Sequence, residues 1–215
     1  MPDRVQQTSI SVLAGTNGAG KSSVGGEWLR AAGTGYFNPD EATQRILAEN
    51  PGISLNEANS VAWNLGKELL ERAIAGRLNF AFETTLGGNT IPDLLDAAAS
   101  AGMPVHVWFV GLSSPELHIQ RVRARVAAGG HDIPEGKIRE RYNRSRENLI
   151  RLLPKLAELR LFDNSADADP RSGKAPEPKL ILHCRRGRIV RMCNLRSAPE
   201  WTKPILTAAI KASLR

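Results

Sequence analysis

The residues Gly15-Thr16-Asn17-Gly18-Ala19-Gly20-Lys21-Ser22 follow the apolar run Ile10-Ser11-Val12-Leu13-Ala14 and complete a G-x-x-x-x-G-K-[ST] pattern. This spacing suits the phosphates of a nucleotide. Glycines let consecutive backbone N–H groups turn toward one polyphosphate, and the helix that follows adds its own unpaired N–H groups and the positive end of its dipole. Lys21 can reach the outer phosphates, Ser22 can hold Mg2+, and Ser23 completes the set of nucleotide-binding candidates. The plain alternative is a glycine turn between a strand and a helix with an exposed lysine. Such a turn needs neither Lys nor Ser at the helix start.

Two carboxylates could serve the same chemistry. Asp40 follows the short extended piece Tyr36-Phe37-Asn38 and Pro39, while Glu83 follows the buried stretch Asn79-Phe80-Ala81-Phe82. Each is expected at the C-terminal end of a strand, on the rim that carries the phosphate loop. Moving a γ-phosphoryl group requires an acceptor hydroxyl placed in line, a carboxylate to take its proton, and positive charge on the transferring oxygens. Asp40 suits the base. Glu83 suits either acceptor orientation or outer-shell contact with Mg2+. The structural rivals are a helix cap for Asp40 and a pairing with a buried arginine for Glu83. The Asp that closes an apolar strand in many ATPases has no clean match, and residues 80–83 are the nearest equivalent. That points to a small kinase whose Mg2+ is held by Ser22, phosphates and water.

Cations flank a glycine break. Arg121 and Arg125 share one helix face, and Lys137, Arg141 and Arg144 share another at offsets of four and seven. Between them lies Gly129-Gly130-His131-Asp132, an arrangement suited to a lid that closes over a nucleotide and brings positive charge to the transition state. A solvated basic face is the plain alternative for any one of these arginines. A nucleic-acid footprint that includes Arg185, Arg186, Arg188 and Arg191 is a third reading, against which the basic runs lack interleaved aromatic residues. His131 is the one histidine in a functional position, with a structural or exposed role as its rival. His106 reads as a satisfied core or partly buried side chain.

These residues need a scaffold that gathers them. The 215 residues suit one α/β domain with a small extension, and 29 Lys plus Arg against 22 Asp plus Glu give a net charge of +7 that favours anionic partners. The N-terminus lacks the apolar core of a signal peptide, and no uncharged apolar run reaches the roughly 18 residues of a membrane span. The chain therefore reads as cytoplasmic, with no membrane partner. Cys184 and Cys193 fit neither a disulfide framework nor a four-cysteine zinc site.

A helix is expected over residues 21–32, with Val24, Trp28 and Leu29 on its buried face. A second helical stretch stops near Asn50-Pro51-Gly52. From Leu55 the positions Ala58, Val61, Ala62, Leu65, Leu69 and Ala73 keep a helical period, with Trp63 assigned to packing. The run Ile91, Leu94, Leu95 and Ala98 marks another helix, and residues 105–110 form an almost wholly apolar strand, as a doubly covered parallel strand requires. Ser114-Pro115 starts a helix, a further one runs from near Pro134 to about Leu153, and Leu159 to Asn164 supply a last strand of the main sheet. Residues 166–178 read as an exposed connector. Lys179–Arg185 and residues 188–193 then form a β-hairpin around Arg186-Gly187, pairing Cys184 with Ile189 and Cys193 with Leu180. A terminal helix from about Pro199 buries Trp201, Ile205, Ala208 and Ala212. Strands alternating with helices predict a doubly wound, mainly parallel sheet, with a division into residues 1–165, a connector at 166–178, and a hairpin and helix at 179–215 packed on the same domain.

The ordered set Gly15 to Ser23, Asn38-Pro39-Asp40, Phe82-Glu83-Thr84-Thr85-Leu86, and Gly129-Gly130-His131-Asp132-Ile133-Pro134 through Arg141-Tyr142 resembles the zeta toxin family of P-loop kinases, over about residues 9–164. The resemblance implies a P-loop kinase fold and, as in the best-known members, ATP-dependent phosphorylation of UDP-N-acetylglucosamine on a sugar hydroxyl, with an antitoxin protein as a further partner. It implies Lys21 as the phosphate-loop lysine, Asp40 as the catalytic base, Glu83 and Thr85 as acceptor contacts, and Arg121 as the first lid arginine. The second lid cation stays open among Arg125, His131 and Arg141. The toxins read Glu-Gly-Thr-Gly-Arg where this chain reads Glu83-Thr84-Thr85-Leu86-Gly87, so their acceptor arginine is missing. A nucleoside or nucleic-acid-end kinase, and a non-catalytic ATP-binding regulatory module, are the rival functions.

Overall fold

Five parallel strands take up the apolar runs of the sequence, and two antiparallel strands extend them. The computed structural model describes residues 8–26, 36–166 and 177–214. The strands are β1 (Ile10–Ala14), β2 (Tyr36–Phe37), β3 (Phe80–Thr84), β4 (Val105–Gly111), β5 (Glu158–Asp163), β6 (Lys179–Arg185) and β7 (Arg188–Met192). They form one sheet in the order β2-β3-β1-β4-β5-β6-β7, parallel from β2 to β5. From β1 the chain travels outward past β3 to reach β2, and from β3 it returns past β1 to reach β4. Carboxyl ends of strands flanking such a reversal leave a crevice for ligands, which is where the loops after β1, β2 and β3 meet.

Six helices accompany the described strands: α1 (Pro39–Glu49), α2 (Leu55–Ala75), α3 (Thr90–Ser100), α4 (Pro115–Ala127), α5 (Glu135–Leu152) and α6 (Lys203–Ser213). Their starts are written locally. Asn38 caps α1, its side-chain oxygen accepting from the N–H groups of Asp40 and Glu41. Ser54 and Glu57 close a capping box on α2, and the Ser114 hydroxyl accepts from Leu117 N–H at the start of α4, with Pro115 in its first turn. Asp40 therefore lies in the first turn of a helix, one step beyond the strand end expected for it, and Asn38 takes the capping role.

The helix after the phosphate loop is described only through Ser22–Gly26, where it is a wide, π-helical turn. Val24 packs there with Leu13, Ala81 and Val110, and the expected contacts of Trp28 and Leu29 lie outside the described residues, as does most of the connector. On α2 the buried stripe is Ala58, Ala62, Gly66, Leu70 and Ala73. Val61 and Leu65 are exposed instead of buried, because small residues set the contact face and turn the larger ones outward.

The sheet does not stop at β5. The hairpin adds β6 antiparallel to β5, so residues 158–163 are an interior strand and the C-terminal extension shares the main core through Ile181, Leu182, Trp201, Ile205, Leu206 and Ala209. Ala208 and Ala212, expected in that core, are only partly buried. Cys184 faces Ile189 as the turn predicts, but a bulge beyond that pair shifts the register by one. Cys193 N–H consequently donates to Ile181, in place of the expected Leu180 pairing. Burial raises the Cys184 thiol to about 11, which keeps it protonated and inert.

Trp201 joins the extension to the rim that carries the site. Its indole N–H donates to Asp163 Oδ1 at 2.9 Å, and its ring occupies the space a side chain at Gly111 would need, since a Cβ there would fall 2.3 Å from Cη2. We predict that Trp201→Ala destabilises the whole domain by about 3–5 kcal/mol in urea unfolding, through lost burial and the cavity left behind. A loss below about 1 kcal/mol would mean that the extension is an appendage.

Candidate functional site

The phosphate loop is fixed through its carbonyl groups. Gly15 has φ 143° and lies against β4 so closely that a Cβ would fall 2.1 Å from Val110 O, a conformation and an approach that glycine alone tolerates. The Asn17 carbonyl accepts from His118 Nδ1 at 2.8 Å, and the Ala19 carbonyl accepts from Asn164 Nδ2 at 2.9 Å. In a planar trans peptide the C=O and the next N–H point in opposite directions. Tying those two carbonyls into the protein therefore turns the N–H groups of Gly18 and Gly20 away from it, toward the concave side of the loop. Thr16 is held by a buried hydroxyl pair with Ser145 at 3.2 Å, and the Asn17 side-chain oxygen accepts from Arg141 Nη1 at 2.8 Å.

His118 makes this fastening with a neutral ring. Burial is the main cause that lowers its pKa from 6.5 to about 4; its hydrogen bond to Asn17 opposes the shift, and the charges of Lys21, Arg121 and Arg146 add to it. The proton sits on Nδ1, because a carbonyl can only accept. Burial likewise lowers the pKa of Arg141, partly offset by Glu140 and Asp40.

The two carboxylates differ in surroundings. Glu83, on β3, is 7% exposed, and its Oε1 accepts from Ser22 Oγ at 3.0 Å and from the Tyr36 hydroxyl. Among the described residues its partners are these hydroxyls, with no arginine paired to it. Ser22 and Glu83 thus set hard oxygen donors beside Lys21, which fits Mg2+. Among the described residues no group of three or more His, Cys, Asp or Glu is arranged to hold a metal alone.

Asp40 is half exposed and faces the glycine break. Arg125 Nη1 lies 3.5 Å from Oδ2, and His131 Nε2 lies 3.6 Å from Oδ1. Arg125 Nη2 also donates to the His131 carbonyl at 3.2 Å, while its Nε is buried without a partner among the described residues. His131 is therefore neither a plain core residue nor a solvated one: the turn at Gly129-Gly130 folds it onto the carboxylate.

Lys21, Asp40, Glu83, Thr85, His131 and Arg141 line one cleft of about 710 Å³. Arg121 is not among its lining residues. It shares a helix with Arg125 but donates to the Ala166 carbonyl at 3.1 Å, on the side of the loop where His118 packs. Thr85 shapes the turn after β3, its Oγ1 accepting from Gly87 N–H at 3.3 Å. Leu86 follows with φ 53° and is fully buried, and Asn148 Nδ2 spans the carbonyls of Leu86 and Gly88 at 2.7 and 2.8 Å. The segment that departs from the toxin pattern is thus a packed corner.

Sequence reasoning missed Tyr36, His118, Ser145 and Asn164 as supports of the site. For Asn164 a signal existed: a polar amide directly closing a buried strand on the ligand rim. Tyr36 meets Glu83, and His118 and Ser145 meet the loop, through contacts 47 to 129 residues away in sequence.

A family model described as zeta toxin matches residues 1–167. A protein from Haemophilus influenzae, described as uncharacterized, is 31% identical over 138 residues, covering 64% of this chain and 95% of that protein. Among solved structures, a chain of the AvrRxo1-ORF1:AvrRxo1-ORF2 complex superposes with TM-score 0.66 at 16% identity, over 96% of this chain and 71% of that one. A chain from the PezAT chromosomal toxin-antitoxin system of Streptococcus pneumoniae gives 0.56 at 14% identity, over 96% and 86%. A putative kinase from Chloroflexus aurantiacus gives 0.51 at 12% identity, over 64% and 78%. At these identities the structural matches speak for the fold.

The neutral state of His118 has a measurable consequence. Between pH 6.5 and about 4 the unfolded chain binds a proton at this residue that the folded chain does not, so stability present above pH 6.5 is lost as pH falls toward 4. At about 1.4 kcal/mol per pH unit the loss is on the order of 3 kcal/mol. We expect His118→Asn, which keeps a donor near the Nδ1 position but cannot titrate, to flatten the stability profile over this window in urea unfolding. Parallel profiles for the two proteins would contradict the buried neutral ring.

Proposed function

The chain belongs to the zeta toxin family, and from that premise we propose that it transfers the γ-phosphate of ATP to a hydroxyl of a small anionic metabolite, with sugar nucleotides such as UDP-N-acetylglucosamine as the first acceptors to test. One observation carries the reading. Lys21, Asp40 and Glu83 line the same cleft, so a donor anchored in the phosphate loop and an acceptor bound in front of it would meet beside a carboxylate.

In this scheme the N–H groups of Gly18 and Gly20 and the Lys21 ammonium hold the donor phosphates. Ser22 and Glu83 offer the oxygen donors for Mg2+, which when bound offsets charge on the β- and γ-phosphates. Asp40 takes the proton of the acceptor hydroxyl as its oxygen forms a bond to the γ-phosphorus and the bridging bond to ADP breaks. Arg141, fixed beside Asn17, brings positive charge to the transferring group. Arg125 and His131 hold the Asp40 carboxylate in place, so an acceptor hydroxyl must approach on the side they leave open. Thr85 acts through the turn that seats the acceptor.

The AvrRxo1 pair has also been crystallised with ATP, which supports ATP as the donor. The two-protein character of that complex and of PezAT supports an antitoxin-like partner for this chain. No described helix is long and apolar enough to cross a membrane.

The test is transfer of labelled γ-phosphate to sugar nucleotides. Asp40→Asn should lower kcat by about 10²–10⁴-fold with ATP affinity retained, as expected for loss of a general base. Lys21→Ala should lose ATP binding itself. Transfer that survives Asp40→Asn would remove the base assignment, and absence of transfer to every acceptor offered would remove the phosphotransferase reading.

A further inference from the structure

We infer that Trp63, on the side of α2 that walls the cleft, is a specificity-determining residue for the acceptor and supplies the flat surface on which a ring of that molecule lies. This rests on the phosphotransfer reading above. Packing does not account for a tryptophan here. The buried stripe of α2 consists of Ala58, Ala62, Gly66, Leu70 and Ala73, and Trp63 lies one position beyond it, 47% exposed and lining the cleft.

The residues around it form a stripe suited to a ligand. Asn59, Trp63 and Lys67 are spaced four apart, so they lie one above another on α2 and all three line the cleft, with the Lys67 ammonium paired to Glu71 at 2.8 Å and the amide and indole left to meet a ligand. Eight residues of helix cover about 12 Å, the length of a ring with a phosphate group attached. Asn59 uses its side-chain oxygen to accept from Thr43 Oγ1 at 3.1 Å, which leaves its N–H2 group to donate elsewhere.

The facing wall sets the charge. Lys137 and Arg144 of α5 line the cleft and share one carboxylate, Glu140, at 3.5 and 3.7 Å. Two cations on one anion leave positive charge over. An exposed indole face with an amide beside it, opposite surplus positive charge, selects a molecule that carries both a ring and an anionic group.

The experiment is calorimetric titration without ATP, using UDP-N-acetylglucosamine, UMP and N-acetylglucosamine as probes. The proteins compared are the native chain, Trp63→Phe, Trp63→Leu and Val61→Ala, the last altering an exposed residue of the same helix outside the cleft. The native chain should bind at least one of the two phosphate-bearing probes more tightly than the neutral sugar. Trp63→Leu should weaken that binding about tenfold, as expected for loss of a stacking face. Trp63→Phe should lose less than about threefold, and Val61→Ala should be unchanged. Binding should also alter tryptophan fluorescence in the native chain and leave it unaltered in Trp63→Phe. Native-like affinity in Trp63→Leu, a fluorescence response that survives in Trp63→Phe, or no binding of either phosphate-bearing probe overturns the inference. Because binding is read without turnover, Trp63-dependent binding with no phosphate transfer would instead overturn the phosphotransferase reading and leave the acceptor platform in place.

Discussion

The site depends on two loop carbonyls being fastened into the protein by a buried histidine and a buried asparagine. Left to itself, a glycine-rich loop would spread its peptide dipoles over many orientations, and Lys21 would have no fixed anion to approach. His118 and Asn164 remove that freedom from opposite sides, one from α4 and the other from the end of β5. The fastening also couples distant elements. Asn164 follows Asp163, which accepts from Trp201, so the C-terminal extension and the phosphate loop are two hydrogen bonds and one residue apart.

Around that fixed loop the electrostatics are divided. Glu83 is buried and met by two hydroxyls, a setting that keeps a carboxylate in a fixed orientation, with no counter-charge in contact among the described residues. Asp40 is exposed enough to meet a substrate, and a cationic side chain and a histidine approach it from the glycine break. The contacts at 3.5 and 3.6 Å are longer than hydrogen bonds, so they steer the carboxylate more than they occupy it. That division of labour suits an oxygen donor for the metal and a proton acceptor on one rim.

Much of this was legible in the residues themselves. The loop pattern, its position after a buried strand, and the two acidic residues on the same rim follow from local spacing, and strand alternation with helices predicts the parallel sheet. What escaped depends on contacts across the chain. His131 was a lid candidate with a structural or exposed role as its rival, and nothing local shows that the turn after α4 closes onto Asp40, 91 residues earlier. Trp63 looked like core because a helical period of apolar residues does not say which face meets the sheet, and the smaller residues took that face. The hairpin turn was readable from Arg186-Gly187, but the bulge that moves Cys193 opposite Ile181 arises from twist in the completed sheet. Arg121 and Arg125 lie one turn apart, yet one meets the segment after β5 and the other meets Asp40.

Donor and acceptor halves should meet in a single cleft with Asp40 between them. The most direct measurement is a crystal structure of the chain with Mg2+, a non-hydrolysable ATP analogue and an acceptor that supports transfer. The acceptor hydroxyl should lie within about 2.6–3.2 Å of an Asp40 oxygen and in line with the γ-phosphorus, with the phosphates against Gly18, Gly20 and Lys21. An acceptor bound away from Asp40, or phosphates seated outside the loop, would contradict it.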